Sequence, residues 1–95
     1  MGITNERLES QRLIRVEVVV HQPWGVEVRV LPPDPSQLGT VDVIHVTDER
    51  PFNPPIDFPE IGRQLEAVVL GYTPSGQLRV SLRDSDIDLA RSESG

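Results

Sequence analysis

The sequence predicts an all-β domain, a small closed barrel of five strands with little helix and an acidic C-terminal tail. Three observations predict it. Apolar residues alternate with period two through the middle of the chain, and valine, whose β-branched side chain suits a pleated, half-buried surface, supplies much of that pattern. Proline- and glycine-rich breaks divide the alternation into five segments. Each segment has one apolar face, and a flat five-stranded sheet would leave that face and two edges in water, whereas closure removes the edges.

The first strand is read as "LIRVEVVVH" at 13–21, with Ile14, Val16, Val18 and Val20 on one face. After "QPWG" a second strand, "VEVRVL", places Val26, Val28 and Val30 inward and Glu27 and Arg29 outward. "PPDPSQ" breaks the pattern, because proline can neither donate to a ladder nor continue a central strand. "TVDVIHV" at 40–46 is the third strand, with Ile44 and Val46 as core and His45 on the outer face. "RPFNPPIDFPE" is a long connection with one helical turn expected at 59–61. "RQLEAVVLGY" is the fourth strand, "TPSG" a type I turn ending in a glycine bulge, and "QLRVSLR" the hairpin partner, with Leu78, Val80 and Leu82 inward. A long crossover between the third and fourth strands is the arrangement of an OB-fold, which is the predicted architecture; an SH3-like barrel is the competing one.

At 95 residues the chain is one domain. Residues 1–11 are an N-terminal extension, 12–84 the barrel and 85–95 an acidic tail, read as flexible with a short helix as the alternative. With no cysteine, disulfides and thiolate metal sites are excluded. "MGITNERLES" lacks a secretory pattern and no apolar run reaches the ~18 residues a membrane span needs, so a soluble cytoplasmic protein is expected. All nine basic residues are arginine, and half of the net charge of −6 falls in residues 84–95. The barrel is thus only mildly acidic, and a globally basic nucleic-acid binder is excluded.

The four segments "WGVEV" at 24–28, "DVIHVTD" at 42–48, "IGRQLEAVVL" at 61–70 and "GQLRVSLR" at 76–83 resemble, in order and spacing, the ribosomal S1-type RNA-binding domain. The resemblance covers roughly residues 12–84. It implies an OB-fold on which single-stranded RNA crosses the second and third strands, stacked on two aromatics and a histidine with basic residues at the margin. Position by position, Trp24 corresponds to the first aromatic, His45 to the histidine and Arg83 to the terminal basic residue. Glu27 stands where the second aromatic is expected, and a carboxylate there neither stacks nor attracts phosphate.

The candidate nucleic-acid-binding residues are Trp24, His45, Arg29, Arg79 and Arg83. Trp24 shares the parity of Val26, Val28 and Val30, so an unbroken strand would turn it inward, while a bulge or strand start at Gly25 would turn it outward. His45 is either a base-stacking residue or an ordinary surface histidine, and His21 has no evident partner. Arg29, Arg79 and Arg83 form either a phosphate-contacting row or a solvated face interleaved with Glu17 and Glu27. "DSDID" at 84–88 has Leu89 where a calcium loop needs glycine, so calcium binding is rejected. No triad, phosphate loop or spaced metal ligands are present in the sequence, and neither enzyme activity, a cofactor nor a metal is expected.

The functional expectation is a non-enzymatic module binding single-stranded RNA weakly. The alternative is a protein-interaction module that kept the barrel and lost the RNA face, its partner belonging to an RNA-processing or translation assembly. A third expectation is regulatory: the acidic tail folds back on the arginine row and mimics RNA.

Overall fold

The computed structural model describes residues 7–94. Its five strands are β1 (Leu13–Gln22), β2 (Gly25–Val30), β3 (Leu38–Asp42), β4 (Gln64–Tyr72) and β5 (Leu78–Ser81), followed by one helix, α1 (Asp84–Ser94). They close into a barrel in the order β1-β2-β3-β5-β4. Every contact between neighbours is antiparallel except β3 with β5, which run parallel. The crossover that makes them parallel is the proline-rich segment after β3. This is the expected OB-fold barrel.

Alternation built the core where it was strict. Val26, Val28 and Val30 of β2 meet Val16 and Val18 of β1, Val41 of β3, and Leu78 and Val80 of β5, all essentially removed from water. Each fully buried side chain of this kind contributes about 1.5–3 kcal/mol. Leu82 closes the β5 end of the core. The "TPSG" turn is as expected: the Gly76 N–H donates to the Thr73 carbonyl at 2.8 Å and Gly76 takes a φ of +90°.

β4 is buried on both faces. Ala67 and Val69 point into the barrel, while Val68 lies under α1 with Ile87, Ala90 and Leu13. Of the two states open to the tail, residues 84–94 take the helical one. Tyr72, at the end of β4, ties down part of the N-terminal extension. Its hydroxyl accepts the Leu8 N–H at 3.0 Å and donates to Gln37 Oε1 at 2.7 Å, and the Arg7 guanidinium lies 4.4 Å from the ring centroid. His21 also has a partner: Nε2–H donates to the Pro59 carbonyl at 2.8 Å and the ring meets Phe58 edge-on, pinning the crossover to β1.

Three expectations are corrected. Val20 is not core. The β1–β2 register shifts between Val18 and Val20, so Val20 pairs with outward-facing Glu27 and is 36% exposed. The third strand does not run to residue 46. It ends at Asp42 and gives way to a 3₁₀ turn over Val43–His45, which sends Ile44 outward to 59% exposure while Val46 stays buried. The helical turn at 59–61 is absent; turns form instead at 54–57 and 61–62, with Phe58 buried between them.

Candidate nucleic-acid interface

Gly25 decides the orientation of Trp24. Its φ is +152°, and a Cβ built there would lie 1.9 Å from the Val41 carbonyl oxygen, so no other residue fits without moving the backbone. The close approach arises because β2 begins at Gly25, paired with Asp42 of β3. Trp24 therefore belongs to the turn before β2, not to the strand's inward face, and is 42% exposed. Its carbonyl accepts the Val43 N–H at 2.9 Å, which fastens the β1–β2 turn to the start of the 3₁₀ turn.

His45 ends that turn, and its carbonyl accepts the Leu82 N–H at 2.9 Å, joining the turn to the strand end of β5. The residue is half-buried rather than fully outward, and Nδ1 is buried with no hydrogen-bond partner. Burial of the ring lowers its pKa from the ordinary value of 6.5, the Arg83 charge adds to this and Arg79 does so more weakly, while Asp86 and Asp42 oppose them. A neutral imidazole at pH 7 follows.

Arg79 and Arg83 flank His45, and both are held by carboxylates. Arg79 pairs with Asp42, on the neighbouring strand. Arg83 Nε donates to Asp86 Oδ2 at 2.9 Å and Nη2 to Asp86 Oδ1 at 3.2 Å, with Asp48 3.7 Å away. Asp86 also accepts the Ser81 hydroxyl at 2.6 Å. The Arg83 hydrogen bond, opposed by partial burial and reinforced by Ser81, holds the Asp86 carboxyl below its usual range. Asp48 is held low as well, first by the Ser85 N–H and then by the Ser85 hydroxyl, at 2.8 and 2.9 Å.

Arg29 stands apart. It pairs across the ladder with Glu17 at 2.7 Å, four residues along β2 from Gly25, or about 13 Å at the rise of a strand. Glu27 lies between them on the outward face and forms no ion pair among the described residues. The structure thus gathers Trp24, His45, Arg79 and Arg83 around one 3₁₀ turn and leaves Arg29 outside the group.

Reading by strand parity missed Ile44, the exposed apolar side chain on the turn next to Trp24, and the three aspartates. Asp86 was visible only as i+3 from Arg83 on a helix, a relation that a flexible tail does not possess.

No protein-family profile matches this chain, and no curated sequence does. Solved structures do. The intact alpha subunit of aIF2 from Pyrococcus abyssi superposes with a TM-score of 0.69 at 20% identity, over 85% of this chain and 31% of that one. A chain of the a/eIF2alpha–aDim2p–rRNA complex from Pyrococcus horikoshii OT3 superposes with a TM-score of 0.65 at 18% identity, over 90% of this chain and 52% of that one. The chain thus spans about a third of the first and about half of the second. At this level of identity the likeness is one of fold.

Proposed function

We propose that this chain is a non-enzymatic, S1-like OB module that binds single-stranded RNA weakly at the turn carrying Trp24. The observation that carries the reading is the outward placement of Trp24, fixed by Gly25, beside His45, Arg79 and Arg83. OB-folds bind oligonucleotides on the face of their second and third strands and with the loop between the first and second. Trp24 occupies that loop, and its half-exposed ring offers a stacking platform that every base can use. The neutral His45 ring adds a second flat surface, and the arginines meet phosphate once they exchange Asp42 and Asp86 for it. Each such exchange cancels part of its own gain, so binding is weak and salt-sensitive. Further support comes from the fold's likeness to a chain of a complex that contains rRNA.

The test uses Trp24 as the only tryptophan in the protein. Its fluorescence should change on titration with a mixed-sequence single-stranded RNA of about ten nucleotides, within the span of one OB-fold. The response should weaken between about 50 and 200 mM salt. In Trp24→Ala, amide shifts at His45, Arg79 and Arg83 should appear only at RNA concentrations about tenfold higher. No response at low salt sinks the reading.

A second reading is favoured by one specific observation. Arg29, Arg79 and Arg83 all have carboxylate partners, and Ile44 presents an apolar surface next to Trp24. A face of that composition also suits a protein partner, and silence toward RNA would favour it.

A further inference from the structure

Glu27 stands among donors that are committed elsewhere. Arg29, two residues along the same face of β2, is held by Glu17. Thr40 is opposite Glu27 on β3, but it is buried and its hydroxyl donates to the Leu78 carbonyl at 3.2 Å. Arg79, one strand beyond Thr40, is taken by Asp42. Glu27 itself forms no ion pair and no side-chain hydrogen bond among the described residues. A half-buried carboxylate has thus been left open on a face whose arginines are all paired with other acids.

The neighbour on the other side is apolar. The register shift in β1 turns Val20 outward, so it is exposed beside Glu27. Side chains paired across strands have Cβ atoms about 4.5–5.5 Å apart, and a flat ring resting on Val20 would present its edge to the Glu27 carboxylate. Trp24 lies three residues before Glu27, within the reach of the next nucleotides of an extended strand that stacks on the indole.

Base edges differ in what they offer a carboxylate. An ionised carboxylate only accepts hydrogen bonds, and two adjacent donors satisfy both of its oxygens. Guanine alone among the four RNA bases has such a pair on its Watson–Crick edge, the N1–H and the N2 amino group. Adenine and cytosine set their amino group beside a ring-nitrogen acceptor, and uracil sets its N3–H between two carbonyls. Each of these three turns at least one acceptor toward the charge.

We propose that Glu27 makes this face selective for guanine, its carboxylate accepting from N1–H and the N2 amino group of a base that lies on Val20. The inference rests on the RNA-binding reading and adds the base that the site prefers. Partial burial of the carboxylate strengthens these charge-assisted bonds. The same charge repels phosphate and faces an acceptor on every other base, so the preference comes from penalty as much as from attraction.

Three RNAs of about ten nucleotides, within the span of one OB-fold, serve as probes. Each is uridine throughout except for one central guanosine, inosine or adenosine; inosine keeps the N1–H and lacks the amino group. The full chain is titrated at low salt, with Trp24 fluorescence reporting affinity and the Val20 and Glu27 amides reporting place. The guanosine RNA should bind about tenfold more tightly than the adenosine RNA, with inosine between them. Glu27→Gln keeps one acceptor and turns the other into a donor. It should abolish most of that preference without weakening the adenosine RNA, and an unchanged melting temperature shows the barrel intact. Equal affinity of the three RNAs for the wild type overturns the proposal and leaves the RNA-binding reading standing, whereas no binding of any of them removes both. An undiminished guanosine preference in Glu27→Gln also overturns it, because the base is then read elsewhere.

Discussion

Gly25 and Val41 approach so closely that a methyl group on the glycine would overlap the valine's carbonyl oxygen, at 1.9 Å. The contact sits where β2 begins and where Trp24 leaves the strand. Gly25→Ala must push β2 away from β3 and also adopt a φ that L-residues avoid. Overpacking of this kind costs about 1–3 kcal/mol before the backbone strain is added. For a domain of this size the melting temperature should fall by roughly 10 °C. Thermal unfolding followed by circular dichroism checks it, with the exposed Trp24→Ala as the reference that stays near the wild-type value.

The Arg83–Asp86 pair carries a second prediction. Asp86→Asn leaves an oxygen for the Ser81 hydroxyl but releases the guanidinium from its charged partner. If RNA phosphates compete with Asp86 for Arg83, the variant should bind the RNA about two- to fivefold more tightly at low salt, the value of one partly exposed ion pair. Fluorescence titration of Trp24 measures it. Unchanged affinity would mean that phosphate never reaches Arg83. Deleting the tail is a poorer test, because α1 covers Val68 and Ser81 and its loss would uncover buried surface.

The barrel was legible wherever alternation was strict, as in Val26, Val28 and Val30, or where a turn carried its own chemistry, as in "TPSG". It failed where one residue was inserted or the period changed. Within "VVV" at 18–20 nothing marks Val19 as the bulge that turns Val20 outward. After Asp42 a 3₁₀ turn rotates successive side chains by about 120° instead of 180°, and this exchanged the expected orientations of Ile44 and His45. The site residues were legible as individuals and not as a group. Their ion pairs join β2 to β1, β5 to β3, and β5's end to α1, relations that exist only after the barrel closes.

Acid should destabilise the protein in two separate windows. His45 has its pKa lowered by burial and then by Arg83, so between the folded value and the ordinary 6.5 the unfolded chain binds the proton more readily. This contribution is fully present above about 6.5 and declines as the pH falls toward the folded value. Asp86 and Asp48, both held below the ordinary 3.8, add stability that is lost only as the pH falls further, through their own folded values. His45→Gln should flatten the fall in melting temperature that begins below about pH 6.5 and leave the more acidic fall of the aspartates in place. An identical slope in wild type and variant would show that the ring does not titrate in the fold.

Glu27 offers a test by gain rather than loss. It sits on the outward face of β2 between Val20 of β1 and Thr40 of β3, the position at which the S1 pattern has its second aromatic. It forms no ion pair among the described residues, so replacing it does not strand a buried charge. Glu27→Tyr removes a carboxylate that repels phosphate and supplies a ring at a half-buried strand position, where aromatic residues are well tolerated. Stacking of one base on such a ring contributes about 1–3 kcal/mol, so the affinity for the RNA should rise about tenfold. Fluorescence anisotropy of the labelled RNA measures the rise. A folded variant with unaltered affinity would mean that RNA does not cross β2, and the binding path would then be confined to the turn between Trp24 and His45.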